Sequence, residues 1–320
     1  MLLPVSGYNF HMPYQIPDTF GRMYANMFGE AGEQWTAALP GLLSSLEARW
    51  SIRLLAPYPL SYNYVAPAVR ADGQPVVLKV GYPHNELISE MHALRHYAGR
   101  GIVQLHEADE ALGAMLLERV EPGRPLVELV DQGQDDEATR AAAQVMQALW
   151  IPAPPDPEGK LLTAVRWGKG FQRLRAAFNG GTGPFPAPLV DRAERIFREL
   201  LDSSAAPALL HGDLHHWNII SAARAPWLAL DPKGLVAEPA YEAGALLRNP
   251  WPEREQVDLL LRCLPRRLDI LHEMLGLDRQ RMLLWTFAQA VLSAWWTYED
   301  HHEVSDTMLM FAQGHGLKAL

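Results

Sequence analysis

Residues 209–232 read LLHGDLHHWNIISAARAPWLALDP. Two short apolar runs in this stretch flank a turn, which predicts a β-hairpin. Such a hairpin would hold Asn218 and Asp231 side by side, with Asp213 at the entrance of the loop. Any one of the three could be an ordinary turn residue. Three oxygen-bearing side chains at this spacing instead predict a functional site.

These three side chains match the needs of phosphoryl transfer. Asp231 and Asn218 supply the carboxylate and amide oxygens that a hard divalent cation prefers. Asp213 can accept a proton from an attacking hydroxyl. Phosphoryl transfer needs one group to orient the nucleophile and metal ions to bridge the phosphates of the donor. The sequence therefore predicts a phosphoryl-transfer site in this loop.

The composition excludes several other classes of protein. The chain has 320 residues, of which 48% are hydrophobic, so it can bury a sizeable core. Its 28 basic and 37 acidic residues give a net charge of −9, which argues against a general nucleic-acid binder. A single cysteine, Cys263, excludes an intramolecular disulfide. We find no signal-peptide pattern and no apolar run of bilayer length, and expect a cytoplasmic protein without a membrane partner.

Secondary-structure patterns change along the chain. Short β-favouring runs separated by turn residues occupy 52–80, which predicts an antiparallel meander. Helical periodicity marks 33–50 and 85–99, whereas residues 1–30 show no clear period. After residue 120 the pattern is mostly helical, with the stretch quoted above as a β island.

The patterns predict an α+β fold with two lobes. Residues 1–120 would hold an N-terminal extension and a small antiparallel β-rich lobe. Residues 121–320 would form a larger, mostly helical lobe that carries the catalytic loop. Near its end, 254–264 and 268–275 are predicted as separate helices.

The run HGDLHHWNII followed by an aspartate resembles the catalytic and metal loops of the aminoglycoside phosphotransferases, a branch of the protein-kinase-like fold. Residues 229–239, ALDPKGLVAEP, and 292–295, LSAW, are similar to the streptomycin 6-kinase and hydroxyurea kinase subgroup. The resemblance extends from about Tyr64 to the end. It implies a bilobal protein-kinase-like fold, with a nucleotide-binding first lobe and an acceptor site in the second.

The resemblance also implies a role for each residue of the loop. Asp213 would be the catalytic base, or the group that orients the acceptor hydroxyl. Asn218 and Asp231 would hold Mg²⁺. His211 is predicted to brace the loop by hydrogen bonding. Lys233 is interpreted as a surface lysine, with contact to the transferred phosphoryl group as the alternative.

Further residues are implied for nucleotide binding, with ATP or GTP as the donor. Lys79, alone in an apolar strand, would bind the α and β phosphates and would be fixed by Glu90. The loop before it lacks the glycine-rich pattern, so backbone N–H groups and the Ser61 hydroxyl would cap the phosphates. Glu118 and Val120 fall where backbone atoms of the family bind adenine.

The family's acceptors are small, cationic and rich in hydroxyls, so their site should contain carboxylates and aromatic faces. Late in the chain, Trp295, Glu299 and Asp300 are the candidates. Glu238 and Glu242 stand where family members often have Asp, and are further candidates. The alternatives are a solvated acidic face and, for Trp295, core packing.

The predicted function is ATP- and Mg²⁺-dependent phosphoryl transfer to a hydroxyl of an aminoglycoside such as streptomycin, which would confer antibiotic resistance. One alternative is a metabolic acceptor, an amino alcohol or a sugar. Another is a nucleotide-binding kinase-like protein without turnover. Asp231 is followed by Pro-Lys and no Ala-Pro-Glu segment is recognisable, which disfavours a protein kinase. The sequence leaves monomer and homodimer open.

Overall fold

The structure is a computed structural model that describes residues 14, 16–250 and 256–314. The chain divides into two compact units, Met1–Tyr82 and Pro83–Leu320. The boundary at residue 120 follows the change of sequence pattern instead, and it stays a prediction.

In the described part of the first unit, two helices precede a three-stranded antiparallel meander. The elements are α1 (Asp18–Phe28), α2 (Glu30–Trp50), β1 (Ile52–Leu54), β2 (Tyr64–Arg70) and β3 (Pro75–Val80). The strands pair in the order β1-β2-β3. Alternate residues of β2 are buried, as in a strand with one face against a core. The predicted meander and the predicted helix that follows residue 33 are both confirmed.

Helix α1 lies where the sequence shows no clear period. Its apolar face comes from Phe20 and Tyr24, which are one turn apart and both buried. The Tyr24 ring stacks on that of Trp35 in α2, with the centroids 4.5 Å apart. Two aromatic rings thus supply the helical face, while the Gly, Met and Asn residues around them hide the period.

The described part of the second unit contains further short strands. They are β4 (Leu105–Asp109), β5 (Ala114–Glu118), β6 (Pro122–Pro125), β7 (Ile151–Pro152), β8 (Leu162–Thr163), β9 (Ala208–Leu210), β10 (Ile219–Ala222), β11 (Trp227–Ala229) and β12 (Leu235–Ala237). Strands β4 and β5 form an antiparallel hairpin. One three-stranded sheet has the strand order β11-β10-β6, and one four-stranded sheet has the order β7-β9-β12-β8. The last two sheets together hold the residues of the predicted loop.

Helices make up most of the second unit. They are α3 (Asn85–Tyr97), α4 (Val127–Asp131), α5 (Asp135–Leu149), α6 (Ala164–Ala177), α7 (Ala187–Asp202), α8 (Ala243–Leu247), α9 (Val257–Leu275), α10 (Arg279–His301) and α11 (Asp306–Ala312). Helix α10 is the core helix, because it packs on α6, α7, α8, α9 and α11. Its residues from Trp285 to Trp295 are buried without a gap. A helix segment that is buried on all sides is typical of the centre of a helical domain.

Helix α9 corrects the sequence prediction of two helices. It runs unbroken from Val257 to Leu275 with Pro265 inside it. A proline removes one hydrogen bond and usually ends or kinks a helix. Pro265 is exposed here, so water can reach the carbonyl group that loses its donor. The predicted start at Arg254 lies outside the described residues.

The helices were also compared with the requirements for crossing a membrane. Across residues 14, 16–250 and 256–314, every helix falls short of the length and apolar character that a membrane crossing requires.

Candidate active site

The predicted hairpin is confirmed. Strands β10 and β11 pair antiparallel, with Ile219 opposite Ala229. The Leu230 N–H donates to the Asn218 carbonyl at 2.9 Å, so Asn218 and Asp231 lie next to each other at the end of the ladder. Asp231 has a φ of 60°, in the left-handed region that non-glycine residues seldom adopt. Such strain costs about 1–3 kcal/mol and is characteristic of functional sites.

The Asn218 side chain is buried and held in one orientation. Its Nδ2 atom donates to the Asp213 carbonyl at 3.0 Å. The His215 N–H donates to the same carbonyl, also at 3.0 Å. With the amide nitrogen committed to the loop backbone, the oxygen Oδ1 remains as the acceptor or cation ligand.

The Asp213 carboxylate lies between two basic side chains at longer distances. Its Oδ1 is 3.5 Å from Nη2 of Arg248, and its Oδ2 is 3.7 Å from Nε2 of His215. About a quarter of the side chain, 26%, is exposed. Burial raises its pKa, but the charges of His215, Arg248 and Lys233 outweigh burial and hold the pKa below its usual value. Asp213 is therefore ionised at neutral pH and can accept a proton.

His211 braces the loop, as predicted. The Asp213 N–H donates to His211 Nδ1 at 3.2 Å, so the ring proton is on Nε2, which donates to the Leu230 carbonyl at 2.8 Å. Burial lowers the pKa of His211 to about 4, so the ring is neutral at physiological pH. One neutral imidazole thus ties the backbone of Asp213 to the residue before Asp231.

Glu242, a predicted acceptor residue, lies beneath the loop. Its carboxylate accepts the His211 N–H at 2.7 Å and the Gly212 N–H at 2.9 Å. Burial raises its pKa to about 7, although the two N–H donors favour the ionised form. Gly212 has a φ of 86°, and a Cβ there would lie 2.8 Å from that of Leu235, so only glycine fits.

Glu238, the other predicted acceptor glutamate, is also enclosed. It accepts hydrogen bonds from Arg281 Nε at 2.6 Å, from the Ala205 N–H at 3.0 Å and from the Trp285 indole N–H. Both glutamates are buried. The structure therefore gives their carboxylates scaffold partners and does not bring them to an open surface.

The late acceptor candidates lie near the end of α10. Trp295 is buried and packs against the rings of Phe178, Phe185 and Tyr298. Glu299 accepts two hydrogen bonds from the guanidinium of Arg173, at 2.6 and 2.8 Å. Asp300 is half-buried on the same helix. The core-packing alternative fits Trp295, and a role for these residues toward an acceptor stays a prediction.

The candidates for nucleotide binding are spread over both units. Lys79 lies in β3 of the first unit and Glu90 in α3 of the second, and both are buried. Ser61 is exposed in the turn before β2. Glu118 accepts two hydrogen bonds from Arg224, each at 2.8 Å. Their nucleotide roles, and that of Val120 just after β5, stay predictions.

Sequence reasoning missed the surroundings of Lys233. Its N–H donates to the His211 carbonyl at 2.7 Å, and its Nζ is 3.5 Å from Oε2 of Glu86. Burial lowers the pKa of Lys233, but four carboxylates outweigh burial and hold the pKa well above its usual range. They belong to Glu86, Asp231, Asp213 and Glu90. Its position two residues after Asp231 was the signal in the sequence that pointed to the site.

Sequence reasoning also missed Trp217. This side chain is 41% exposed, although its chain neighbours His216 and Asn218 are buried. Its ring meets His215 edge to face at 5.7 Å, and His215 in turn faces Asp213. An exposed aromatic face therefore lies on the solvent side of this loop, and the sequence carries no signal that distinguishes it from its buried neighbours.

The donor set fits Mg²⁺ held jointly by protein and nucleotide. In the part of the chain that the structure describes, no three His, Cys, Asp or Glu residues cluster as a metal cage. Mg²⁺ is usually held by one or two protein oxygens together with substrate phosphates and waters. Asn218 Oδ1 and the Asp231 carboxylate, neighbours at the end of the hairpin, are such a pair.

Comparison with solved structures defines the fold class. A choline kinase from Streptococcus pneumoniae matches with a TM-score of 0.59 at 12% identity, over 89% of this chain and 100% of that one. The aminoglycoside phosphotransferase APH(4)-Ia, as a complex with ADP and hygromycin B, matches with a TM-score of 0.58 at 14% identity, over 84% and 97%. The bilobal protein-kinase-like α+β fold predicted from the sequence is confirmed.

The fold and the relatives of the chain together define a small-molecule kinase. The chain belongs to the aminoglycoside/hydroxyurea antibiotic resistance kinase family, whose model matches residues 61–301. It is 33% identical to a streptomycin 6-kinase of Streptomyces glaucescens, over 94% of this chain and 98% of that protein. It is 34% identical to a hydroxyurea phosphotransferase of Kitasatospora aureofaciens, over 89% and 81%. The family resemblance stated from the sequence is confirmed.

Proposed function

We propose that the protein transfers the γ-phosphoryl group of MgATP to a hydroxyl group of streptomycin. The observation that carries the proposal is the juxtaposition of Asp213, Asn218 and Asp231 in one braced loop. The similarity to a streptomycin 6-kinase over nearly the whole of both chains supports this acceptor.

Asp213 has the base role in this proposal. Its carboxylate is ionised, partly exposed and held by longer contacts, so an incoming hydroxyl can displace them. Asp213 orients that hydroxyl and accepts its proton as the new bond to phosphorus forms. Positioning and charge stabilisation supply the catalysis, and no covalent enzyme intermediate is required.

Asn218 and Asp231 hold Mg²⁺ in the proposal. An ion held by these two residues would supply positive charge against the charge that develops on the transferred group. The roles toward the nucleotide predicted for Lys79, Glu90, Ser61, Glu118 and Val120 belong to the same proposal.

Trp217 offers the acceptor an aromatic face. Streptomycin carries guanidinium groups, and a guanidinium stacks favourably on an indole ring. The exposed Trp217 ring contacts the ring of His215, which in turn faces Asp213. A hydroxyl on the cyclitol ring that carries the guanidinium groups can thus approach Asp213 while a guanidinium contacts Trp217. Asp300, half-buried on α10, remains a candidate for a second cation of the acceptor.

Hydroxyurea is the second candidate acceptor. The 34% identity to a hydroxyurea phosphotransferase is as high as that to the streptomycin kinase. Because hydroxyurea is small and uncharged, it would use Asp213 but would gain little from an aromatic face for cations.

The test is transfer of labelled phosphate from ATP with Mg²⁺, and from GTP in a parallel series. Acceptors are streptomycin, a second aminoglycoside, hydroxyurea and none. Asp213→Asn serves as the inactive control, and we expect its turnover to fall by about a thousandfold with nucleotide affinity retained. Labelled streptomycin from the wild type alone supports the proposal. Full turnover in the variant, or labelling of hydroxyurea only, overturns the base role or the acceptor respectively.

A further inference from the structure

We propose that Lys233 is a further catalytic residue, whose ammonium group binds the γ-phosphoryl group as it passes from nucleotide to acceptor. This inference rests on the proposed function and adds a cation to the same site. In the step, the acceptor oxygen bonds to phosphorus and the bond from phosphorus to the β–γ bridging oxygen breaks. The hydroxyl proton goes to Asp213, and ADP leaves with the electron pair. Lys233 stays protonated throughout.

The backbone fixes Lys233 beside the catalytic loop. Its N–H donates to the His211 carbonyl at 2.7 Å, two residues before Asp213. The next residue, Gly234, accepts a hydrogen bond at its carbonyl from Ser89 Oγ at 3.0 Å. These contacts hold the segment after Asp231 without any help from the lysine side chain.

The lysine side chain starts along the loop itself. A Cβ placed on Gly212 would lie 3.3 Å from Cβ of Lys233, so the lysine stem runs past the residue that precedes Asp213. The side chain is 32% exposed, which leaves the ammonium group accessible to a ligand. Both features place an accessible cation on the side chain that passes Gly212, the residue before Asp213.

The charges around Lys233 explain why a cation is needed there. Its electrostatic partners are the carboxylates of Glu86, Asp231, Asp213 and Glu90. A nucleotide triphosphate would be repelled by such a set, and the transferred phosphoryl group spreads negative charge over three oxygens. Phosphoryl-transfer sites usually stabilise that negative charge with positively charged groups held in fixed positions.

The ion pair with Glu86 is loose enough to exchange. Charge-assisted N–H···O contacts are usually about 2.7–2.9 Å long. Lys233 Nζ is 3.5 Å from Glu86 Oε2, and the Glu86 side chain is 48% exposed. An exposed ion pair of this kind contributes little stability. The ammonium group can therefore move from Glu86 to a phosphate oxygen at small cost.

A purely structural role for Lys233 makes a different prediction. If the lysine served only to anchor α3 through Glu86, then removing either partner would have the same effect. If it binds phosphate, Lys233→Met should be far more damaging than Glu86→Gln. The charged variant Lys233→Arg should recover part of the activity.

The experiment compares the wild type with Lys233→Met, Lys233→Arg and Glu86→Gln, using streptomycin or whichever acceptor is labelled. We expect kcat to fall about a hundredfold in Lys233→Met, as on removal of one preorganised donor. The Kd for ATP should rise about tenfold in this variant, whereas the Kd for ADP, which lacks the γ-phosphate, stays within about twofold. Glu86→Gln should keep kcat within about threefold, as expected for an exposed pair.

The nucleotide measurement keeps the inference testable even if no acceptor is found. Equal losses of ATP and ADP affinity in Lys233→Met overturn it, as does a kcat close to that of the wild type. Equal damage in Lys233→Met and Glu86→Gln would show the structural role. Failure of the proposed function is seen separately, in the wild type and in Asp213→Asn.

Discussion

The hairpin of β10 and β11, with the loop before it, and the aromatic end of helix α10 differ in the partners of their polar side chains. In the hairpin, His211 and the backbone fix the loop, and the Asp213 carboxylate makes longer contacts of 3.5 and 3.7 Å. At α10, Glu299 is gripped by Arg173 and Trp295 is enclosed by other rings. Residues whose bonding capacity the scaffold uses up are poor candidates for ligand binding. The Asp213 carboxylate therefore stays available to a ligand, whereas the Glu299 carboxylate is already bonded to Arg173. The roles of Trp295 and Glu299 toward an acceptor stay predictions.

The largest effect is expected for Glu238, because its buried carboxylate bonds several groups of the scaffold. Glu238→Ala leaves Arg281 and the Trp285 and Ala205 N–H groups without their acceptor. We expect the free energy of unfolding, measured with urea, to fall by about 3 kcal/mol. Turnover per folded molecule should be unchanged at low temperature.

The matched control for this variant is Glu299→Ala, which breaks an exposed pair. An acceptor role for Glu238 would produce the opposite pattern. The KM for the acceptor would rise while the urea midpoint stayed near that of the wild type.

Glu242 makes the stability of the folded protein depend on pH. Its folded pKa of about 7 exceeds the ordinary value of 4.5, chiefly through burial. Between these values the folded protein holds a proton that the unfolded chain has released, so stability falls as pH rises from 4.5 to about 7. We expect Glu242→Gln to remove this contribution, of about 3 kcal/mol across the window. The measurement is urea unfolding of the wild type and of Glu242→Gln at several pH values. If the two proteins lose stability in parallel as pH rises, the expectation is wrong.

The sequence predicted the hairpin because the relevant signals are local. Apolar runs on either side of a short turn define the register, and the register alone brings Asn218 beside Asp231. The same locality explains the success with His211, which bonds residues of that one hairpin.

The roles of Glu238 and Glu242 could not be read in the same way. Glu242 bonds the backbone of residues about thirty positions earlier, and Glu238 bonds Trp285, further along the chain. Spacing carries no signal for such partners, so the sequence alone does not reveal that these carboxylates bond the scaffold. Lys233 shows the converse, because an apparent surface lysine proves to be surrounded by carboxylates only after folding.

Trp217, the exposed aromatic residue of the loop before β10, is the next residue to substitute. Trp217→Ala should raise the KM for streptomycin about tenfold through loss of a cation–π contact, and should leave KM for hydroxyurea nearly unchanged. The matched control is Leu259→Ala, which removes another exposed apolar side chain, 54% accessible, from the second unit. Both variants should stay within about 0.5 kcal/mol of wild-type stability. Equal KM changes for the two acceptors would remove the cation-binding role.

Glu299 gives the smallest expected effect and decides whether α10 belongs to the acceptor site. Its fork with Arg173, on a half-exposed arginine, should contribute less than about 1 kcal/mol. We therefore expect Glu299→Gln to shift urea unfolding slightly, and less so at high salt because screening weakens the pair. Arg173→Met should cause a similar shift, and the double variant should add little. If Glu299→Gln instead raises the KM for streptomycin while Arg173→Met does not, the Glu299 carboxylate binds the acceptor. In that case a bond to the scaffold does not exclude ligand binding by residues near the end of α10.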